Sequence, residues 1–296
     1  MNVADLRVFG VVARLGGMGR AATQLHTVQS NVSAHIRRLE ADLGETLFER
    51  VPRGVALTAA GERLLPFAEA LDRLLADAAR AVADDGRPRG RLVLGTLETT
   101  AALRLPDAVA GFVAAYPEVD LTLRTGTTCE LVAQVAAGEV EGAFVCGPVR
   151  HPDLVAETVL EEELALLSAP GLRSVREAIG APGLRIVVLR AGCSYRQVLE
   201  QWLARHGVPQ PRVMEFGTLE AVVSCVAAGL GVTMLPRGLL GPVWQSGRVA
   251  MHGLPPREGR VETQFVRRRD AYVSAALTAF LDMVRTRHAV GVRPAA

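Results

Sequence analysis

The chain has 296 residues, a formal net charge of +2 and 49% hydrophobic residues, with no apolar run approaching the length of a membrane span. That length suits two domains with substantial cores, and the composition points to a soluble protein without internal repeats or low-complexity tracts. The start, Met1-Asn2-Val3-Ala4-Asp5, lacks a basic-then-apolar export signal, so a cytoplasmic location is expected. Cys129, Cys146, Cys193 and Cys225 are dispersed without C-x-x-C spacing, and no disulfide is expected in a reducing compartment.

Leu6, Phe9, Val12 and Ala13 share one face of a first helix. Arg20 to Leu25 reads as a second, short helix, and its small Ala21 and Ala22 permit close approach of another. His26, Thr27 and Val28 form a tight turn, with Thr27 placed to cap a third helix from Gln29 to Leu43. Val32, Ile36, Leu39 and Leu43 make the inward stripe of that helix. Ser30, Ser33, Ala34 and Arg37 lie opposite, a face suited to hydrogen-bonding base edges and pairing phosphate. Two helices joined by a three-residue turn are a helix-turn-helix, although any amphipathic pair in a bundle carries the same stripe. After Phe48-Glu49-Arg50, the segment Val51 to Leu57 reads as a hairpin turning at Arg53-Gly54. It forms a wing that sets Arg50 and Arg53 beside a duplex backbone; the alternative for each is a solvated surface cation. Thr58 starts a long helix with Leu64, Leu65, Leu71, Leu74, Ala78 and Val82 at near-heptad spacing, bent by Pro66, and Leu71, Leu74, Ala78 and Val82 are expected to lack cover within one subunit. Asp84 to Gly90 is a Gly/Pro hinge.

These residues resemble the N-terminal domain of LysR-type transcriptional regulators. The shared pattern stands here as Ala21, Ala22, Leu25, Gln29, Ser30, Val32, Ser33, Ile36, Leu39, Glu40, Leu43, Gly44, Leu47, Phe48 and Arg50. Val28 and Ala34 depart from it, since the family often has Ser and Arg there. The resemblance implies DNA contacts from Gln29, Ser30, Asn31, Ser33, Ala34, Arg37, Arg50 and Arg53. It also implies a linker helix that pairs between subunits across double-stranded DNA, dimers that pair into tetramers, and RNA polymerase as a further partner.

From Arg91 strands and helices alternate, the texture of an α/β domain. Strands are expected at Leu92–Gly95, Asp120–Thr125, Gly142–Cys146, Val155–Leu160, Leu164–Ala169, Arg185–Leu189, Arg212–Phe216, Val232–Leu235, Val249–Gly253 and Val261–Val266. Helices are expected at Ala101–Tyr116, Cys129–Ala137, Tyr195–His206, Leu219–Ala228 and Tyr272–Ala289, the last returning to the first lobe. The phrase A-A-G-L-G-V-T-M-L-P from Ala227 to Pro236 is similar to the two-lobed, periplasmic-binding-protein-like effector domain of the same family. The expected architecture is an all-α winged helix-turn-helix (1–58), a linker helix and hinge (59–90) and a two-lobed α/β effector domain (91–296). Lobe I takes about 91–162 and 267–296, and lobe II about 163–266.

Such a domain holds its ligand in a crevice at the carboxyl ends of strands and the starts of helices. Thr96, Glu98, Thr99 and Thr100 fall at one such junction, Thr127 and Thr128 at a second, and Cys193, Ser194, Tyr195 and Arg196 at a third. Each hydroxyl can equally be a helix cap. Arg196 could clamp a carboxylate and Glu98 accept an ammonium, or the two could brace the lobes as a salt bridge. L-E-T-T with C-S-Y-R-Q is also similar to regulators of putrescine utilisation, which makes an amine, amino acid or short carboxylate the candidate effector. Cys146 and Cys193 read as small buried apolar groups near the pocket. The six His are scattered, and no metal-ligand spacing, G-x-S-x-G elbow or phosphate loop is present, so neither catalysis nor a cofactor is expected. A two-lobed carrier without a regulatory role is the competing reading, and the helix-turn-helix argues against it.

Overall fold

The computed structural model describes residues 1–181, 183–239 and 247–288, and the chain divides into two units, Met1–Asp85 and Gly86–Ala296. In the first, the Asn2 side chain accepts the Ala4 N–H and starts α1 (Val3–Leu15), which ends at Gly16 in the left-handed conformation. α2 (Met18–Gln24) and α3 (Gln29–Leu43) follow. Phe9, Val12, Ala21, Val32, Ile36, Leu39 and Leu47 are buried together as the core of this three-helix unit. Two expectations are corrected here. Leu43, the last residue of α3 before Gly44, lies outside that core and is exposed. Thr27 does not cap α3; Val28 occupies the N-cap without a side-chain bond, and the Thr27 hydroxyl instead accepts from Asn31 Nδ2 at 3.0 Å.

β1 (Phe48–Val51) and β2 (Gly54–Leu57) pair antiparallel, Val51 opposite Gly54, so the hairpin turns at Pro52-Arg53, one residue earlier than expected. Gly54 has φ 141°, and the Val55 N–H donates to Gly16 O at 3.1 Å, docking the wing on the end of α1. Thr58 caps α4 (Ala59–Ala83) by accepting the Gly61 N–H, and Pro66 sits inside this 25-residue helix. Leu64, Leu65 and Leu71 pack half-buried against the N-terminal core, so Leu71 is partly covered within its own subunit, contrary to expectation. Phe67, Leu74 and Val82 are left 70%, 63% and 90% exposed.

Gly61 is a point of close approach in this unit: a Cβ there would lie 2.3 Å from Leu47 O, a backbone atom that cannot swing aside. Gly61→Ala is therefore expected to destabilise the first unit by about 1–3 kcal/mol, the usual cost of overpacking. Calorimetry of the variant should show the corresponding transition moved to lower temperature, and an unchanged transition would show that the wing and α4 have room to part.

The second unit begins with β3 (Gly90–Thr96), α5 (Glu98–Leu103), α6 (Pro106–Ala115), β4 (Val119–Thr125), α7 (Thr128–Ala137) and β5 (Gly142–Cys146). The single helix expected from Ala101 to Tyr116 is two helices, because Pro106 has no N–H to continue the first and instead opens the second. β6 (Leu154–Ser168) is one strand of 15 residues where two were expected. The Glu161-Glu162-Glu163 run interrupts the apolar pattern without breaking the strand: Glu161 and Glu163 alternate outward, and Glu162 points inward. Then come α8 (Val175–Ile179), β7 (Arg185–Leu189), α9 (Ser194–Arg205), β8 (Arg212–Phe216), α10 (Leu219–Ala227), β9 (Thr233–Pro236), β10 (Ala250–Gly253), α11 (Pro256–Gly259), β11 (Arg260–Arg268) and α12 (Ala275–His288). α8 and α11 were not anticipated. Ala289, the expected end of the last helix, lies outside the described residues.

β3 pairs parallel with β4 and β5, and β11 joins β5 to β6 antiparallel. Residues 154–163 of β6 pair with β11, whereas 164–168 pair with β9 and β10. The strand thereby runs out of one lobe and into the other, where β7 and β8 form a parallel pair joined to Val232. α12 does return to lobe I, with Leu277, Phe280 and Val284 buried against Leu92, Leu94 and Phe112. The Phe112 and Phe280 rings meet edge-on at 5.1 Å, and Phe144 and Phe265 at 5.0 Å.

Candidate DNA-reading surface and ligand pocket

The third helix is held by side-chain bonds from its middle and its last turn. Asp5 on α1 is buried and accepts from Arg38 Nη2 at 3.0 Å, with His35 Nδ1 at 2.5 Å from the same oxygen. Burial alone would raise the Asp5 pKa, but the Arg38 and His35 hydrogen bonds and charges outweigh it and hold the carboxyl below its ordinary range. Half a turn further on, Glu40 Oε1 accepts the Leu47 N–H at 2.8 Å, tying the helix to the segment that leads into the wing. On the outer face Gln29, Ser30, Asn31 and Arg37 are exposed and Ser33 and Ala34 half-buried, while Arg50 and Arg53 are exposed on the wing. The Arg37 Nε donates to Ser33 O at 3.2 Å, and Asn31 is turned to Thr27, so these two side chains already have local partners. Val28, which sequence reasoning treated only as a departure, exposes an apolar side chain beside Gln29.

In the second unit a cavity of about 310 Å³ opens at the ends of β3, β4, β7 and β8. Lobe I supplies Leu97, Glu98, Thr99, Thr125, Gly126 and Thr127; lobe II supplies Leu189, Arg190, Cys193, Ser194, Tyr195 and Gly217. Six of the ten residues proposed from the sequence therefore meet here: Glu98, Thr99, Thr127, Cys193, Ser194 and Tyr195. The other four stand behind or beside the cavity. Thr96 is fully buried and its hydroxyl donates to Leu97 O at 3.2 Å, and Thr100 is also fully buried. Thr128 Oγ1 lies 2.8 Å from Ser194 Oγ and accepts the Cys146 N–H, so it links the starts of α7 and α9 across the lobes. Arg196 turns away to Glu200 at 2.9 Å and Glu215 at 2.7 Å; it pairs with neither the cavity nor Glu98.

The cation in the lining is Arg190, whose Nη2 lies 3.8 Å from Glu130 on the opposite lobe. It follows β7 directly, as Gly217 follows β8, so the rule that ligands gather at strand carboxyl ends would have found both once those strands were placed. The helix starts around the cavity differ. Thr127 and Glu130 close α7 with a reciprocal capping box, whereas α9 has no side-chain cap. Burial pushes the Cys146 thiol up to about 11, against a hydrogen bond from Ser194, and burial also raises Cys193, against the N–H groups of Arg196 and Tyr195. Both remain neutral thiols at pH 7. No group of three or more possible metal ligands occurs among the described residues, nor any helix long and apolar enough to cross a membrane.

A helix-turn-helix head on a chain with a two-lobed, pocketed α/β domain defines a ligand-responsive DNA-binding regulator of transcription. Residues 3–62 match the bacterial regulatory helix-turn-helix protein, lysR family, and residues 85–289 match the LysR substrate binding domain. The HTH-type transcriptional regulator YusT of Bacillus subtilis (strain 168), itself uncharacterized, is 44% identical over 282 residues, 95% of each chain. The HTH-type transcriptional regulator GltR of the same strain is 39% identical over 96% of each. A full-length OxyR variant from Pseudomonas aeruginosa shares the fold with a TM-score of 0.71 at 22% identity, covering 96% of this chain and 95% of that one. This chain belongs to the LysR-type transcriptional regulators. It is a DNA-binding regulator with an effector-binding domain, and the relatives that match it are regulators rather than carriers.

Proposed function

We propose that the chain is a non-enzymatic cytoplasmic sensor whose effector, a small amine, amino acid or short carboxylate, occupies the cavity between the lobes of residues 91–296. One observation carries this reading: both lobes contribute polar side chains to a single 310 Å³ cavity, a size that takes a metabolite and not a polymer. Residues 1–58 read DNA through Gln29, Ser30, Ser33, Ala34 and Arg37, with Arg50 and Arg53 on phosphate, and residues 59–90 pair subunits into dimers and tetramers that engage RNA polymerase. Effector binding matters only through unequal affinity for two poises of the lobes, which subunit contacts relay to the spacing of the DNA heads.

Ser194 spans the lobes through Thr128 and lines the cavity at the uncapped start of α9. Genomic footprinting identifies the operators, and gel shifts on them with metabolite extracts identify a response. Ser194→Ala is expected to lose that response while binding the operator as the parent does, because the two activities sit in different units. A variant that still responds at parental effector concentrations would move the effector site elsewhere.

A further inference from the structure

Glu162 lies where β6 passes from its pairing with β11 to its pairing with β9 and β10, the crossing point between the lobes. It is 1% exposed, and each carboxylate oxygen reaches into a different lobe. Oε1 accepts from Arg104 Nε at 3.2 Å, just after α5, and Oε2 accepts the Tyr195 hydroxyl of α9 at 2.7 Å. Tyr195 in turn accepts from the Thr99 hydroxyl at 3.3 Å. Thr99 and Tyr195 both line the cavity and are almost fully buried, so they belong to its floor.

The direction of this chain of donors fixes the polarity of the floor. A phenol has one proton, and that of Tyr195 is committed to Glu162; a threonine hydroxyl has one proton, and that of Thr99 is committed to Tyr195. What remains on both oxygens is lone pairs. Burial and the Glu162 charge push the Tyr195 pKa well above its ordinary value, which keeps the phenol protonated. A ligand carboxylate, which only accepts, would meet these lone pairs with a buried anion behind them. Glu98, on the same α5 as Thr99, adds a second anion at the cavity, whereas Arg190 stands on the other lobe.

We propose that the innermost group of the ligand is a primary ammonium received by Tyr195 Oη and Thr99 Oγ1, and that Glu162 is the positioning residue that fixes this preference for a donor. The inference rests on the cavity being the effector site. A zwitterion would then lie with its ammonium toward Tyr195 and its carboxylate toward Arg190.

Isothermal titration of the full-length protein with acids that differ only by an ammonium tests this: alanine against propionate, and glutamate against glutarate, with putrescine as an ammonium ligand lacking any carboxylate. The expected result is at least one ammonium ligand that binds, tenfold or more tightly than its matched acid where it has one, with that affinity lost in Tyr195→Phe. In Glu162→Gln the amide oxygen stays with Arg104 and the amide N–H faces Tyr195, which frees the phenolic proton for the cavity. The preference within a pair should then shrink toward unity, a ratio that a merely structural role for Glu162 would leave alone while lowering thermal stability. The wild-type ratio stands whether or not the variants fold. An acid that binds as tightly as its ammonium partner, or a panel in which no ammonium compound binds, overturns the inference. Acids that bind and are lost in Ser194→Ala would do so while leaving the effector site in place; a panel in which nothing binds would count against both.

Discussion

Gln29→Ala or Ser33→Ala is expected to weaken binding to the operator by about 1–3 kcal/mol, the worth of a good base contact, and to leave binding to a scrambled duplex almost unchanged. Gln29 is the first residue of α3 and exposed, and Ser33 stands one turn further along the same face, so both meet base edges if the start of the helix enters the major groove. Neither substitution touches the buried stripe of Val32, Ile36 and Leu39, so the fold should survive. Arg50→Ala and Arg53→Ala should behave differently. They remove cations from the wing, and the loss should be equal on both duplexes and grow smaller as salt is raised, because phosphates carry no sequence. Binding curves on specific and scrambled duplexes decide the matter. Equal losses for Gln29→Ala on the two would mean that this residue only touches backbone.

The first unit was legible because its signals are local. A stripe at helical spacing, a three-residue turn and the cap Thr58 before Ala59-Ala60-Gly61-Glu62 each report on neighbours in sequence, and α3 and α4 begin where those signals put them. Errors fell where tertiary contacts decide. Leu71 and Leu74 look alike in a heptad pattern, yet the core reaches Leu71 and leaves Leu74 in solvent. The cavity was half legible for the same reason. Strand-to-helix junctions are visible in sequence, so Glu98, Thr99, Thr127, Ser194 and Tyr195 could be named. Which way a side chain turns at a junction is not, and Arg196, one residue beyond Tyr195, finds Glu200 one turn along its helix and Glu215 on β8. Glu162 gave no signal at all. In a run of three glutamates it looks solvated, and only the pleat of a continuous β6 and the meeting of Arg104 and Tyr195 make it the buried member of the three.

Leu74→Asp combined with Val82→Asp is expected to separate the subunits and with them to remove most of the affinity for a two-half-site operator. The argument begins from α4, a helix of 25 residues whose first half packs on the N-terminal core through Leu64, Leu65, Ala68 and Leu71. Phe67, Leu74, Ala78 and Val82 recur at spacings of seven, four and four, so they share a face, and all four are exposed in the single chain. Exposed apolar side chains in a row mark an interface, and burying Phe67, Leu74 or Val82 in a partner helix is worth about 1.5–3 kcal/mol apiece. A carboxylate at two of these positions would have to be desolvated on pairing, which costs several kcal/mol per ion. Both sites face solvent in the monomer, so the helix itself should persist by circular dichroism, unlike a change at Leu71, which would open the core. Each separated head then binds its half-site alone and loses the avidity of a linked pair, about 10²–10⁴-fold. Light scattering reports the subunit number, and a gel shift on the intact operator reports the affinity. A variant that scatters as the parent does would take the linker helix out of the interface, whatever became of its DNA binding.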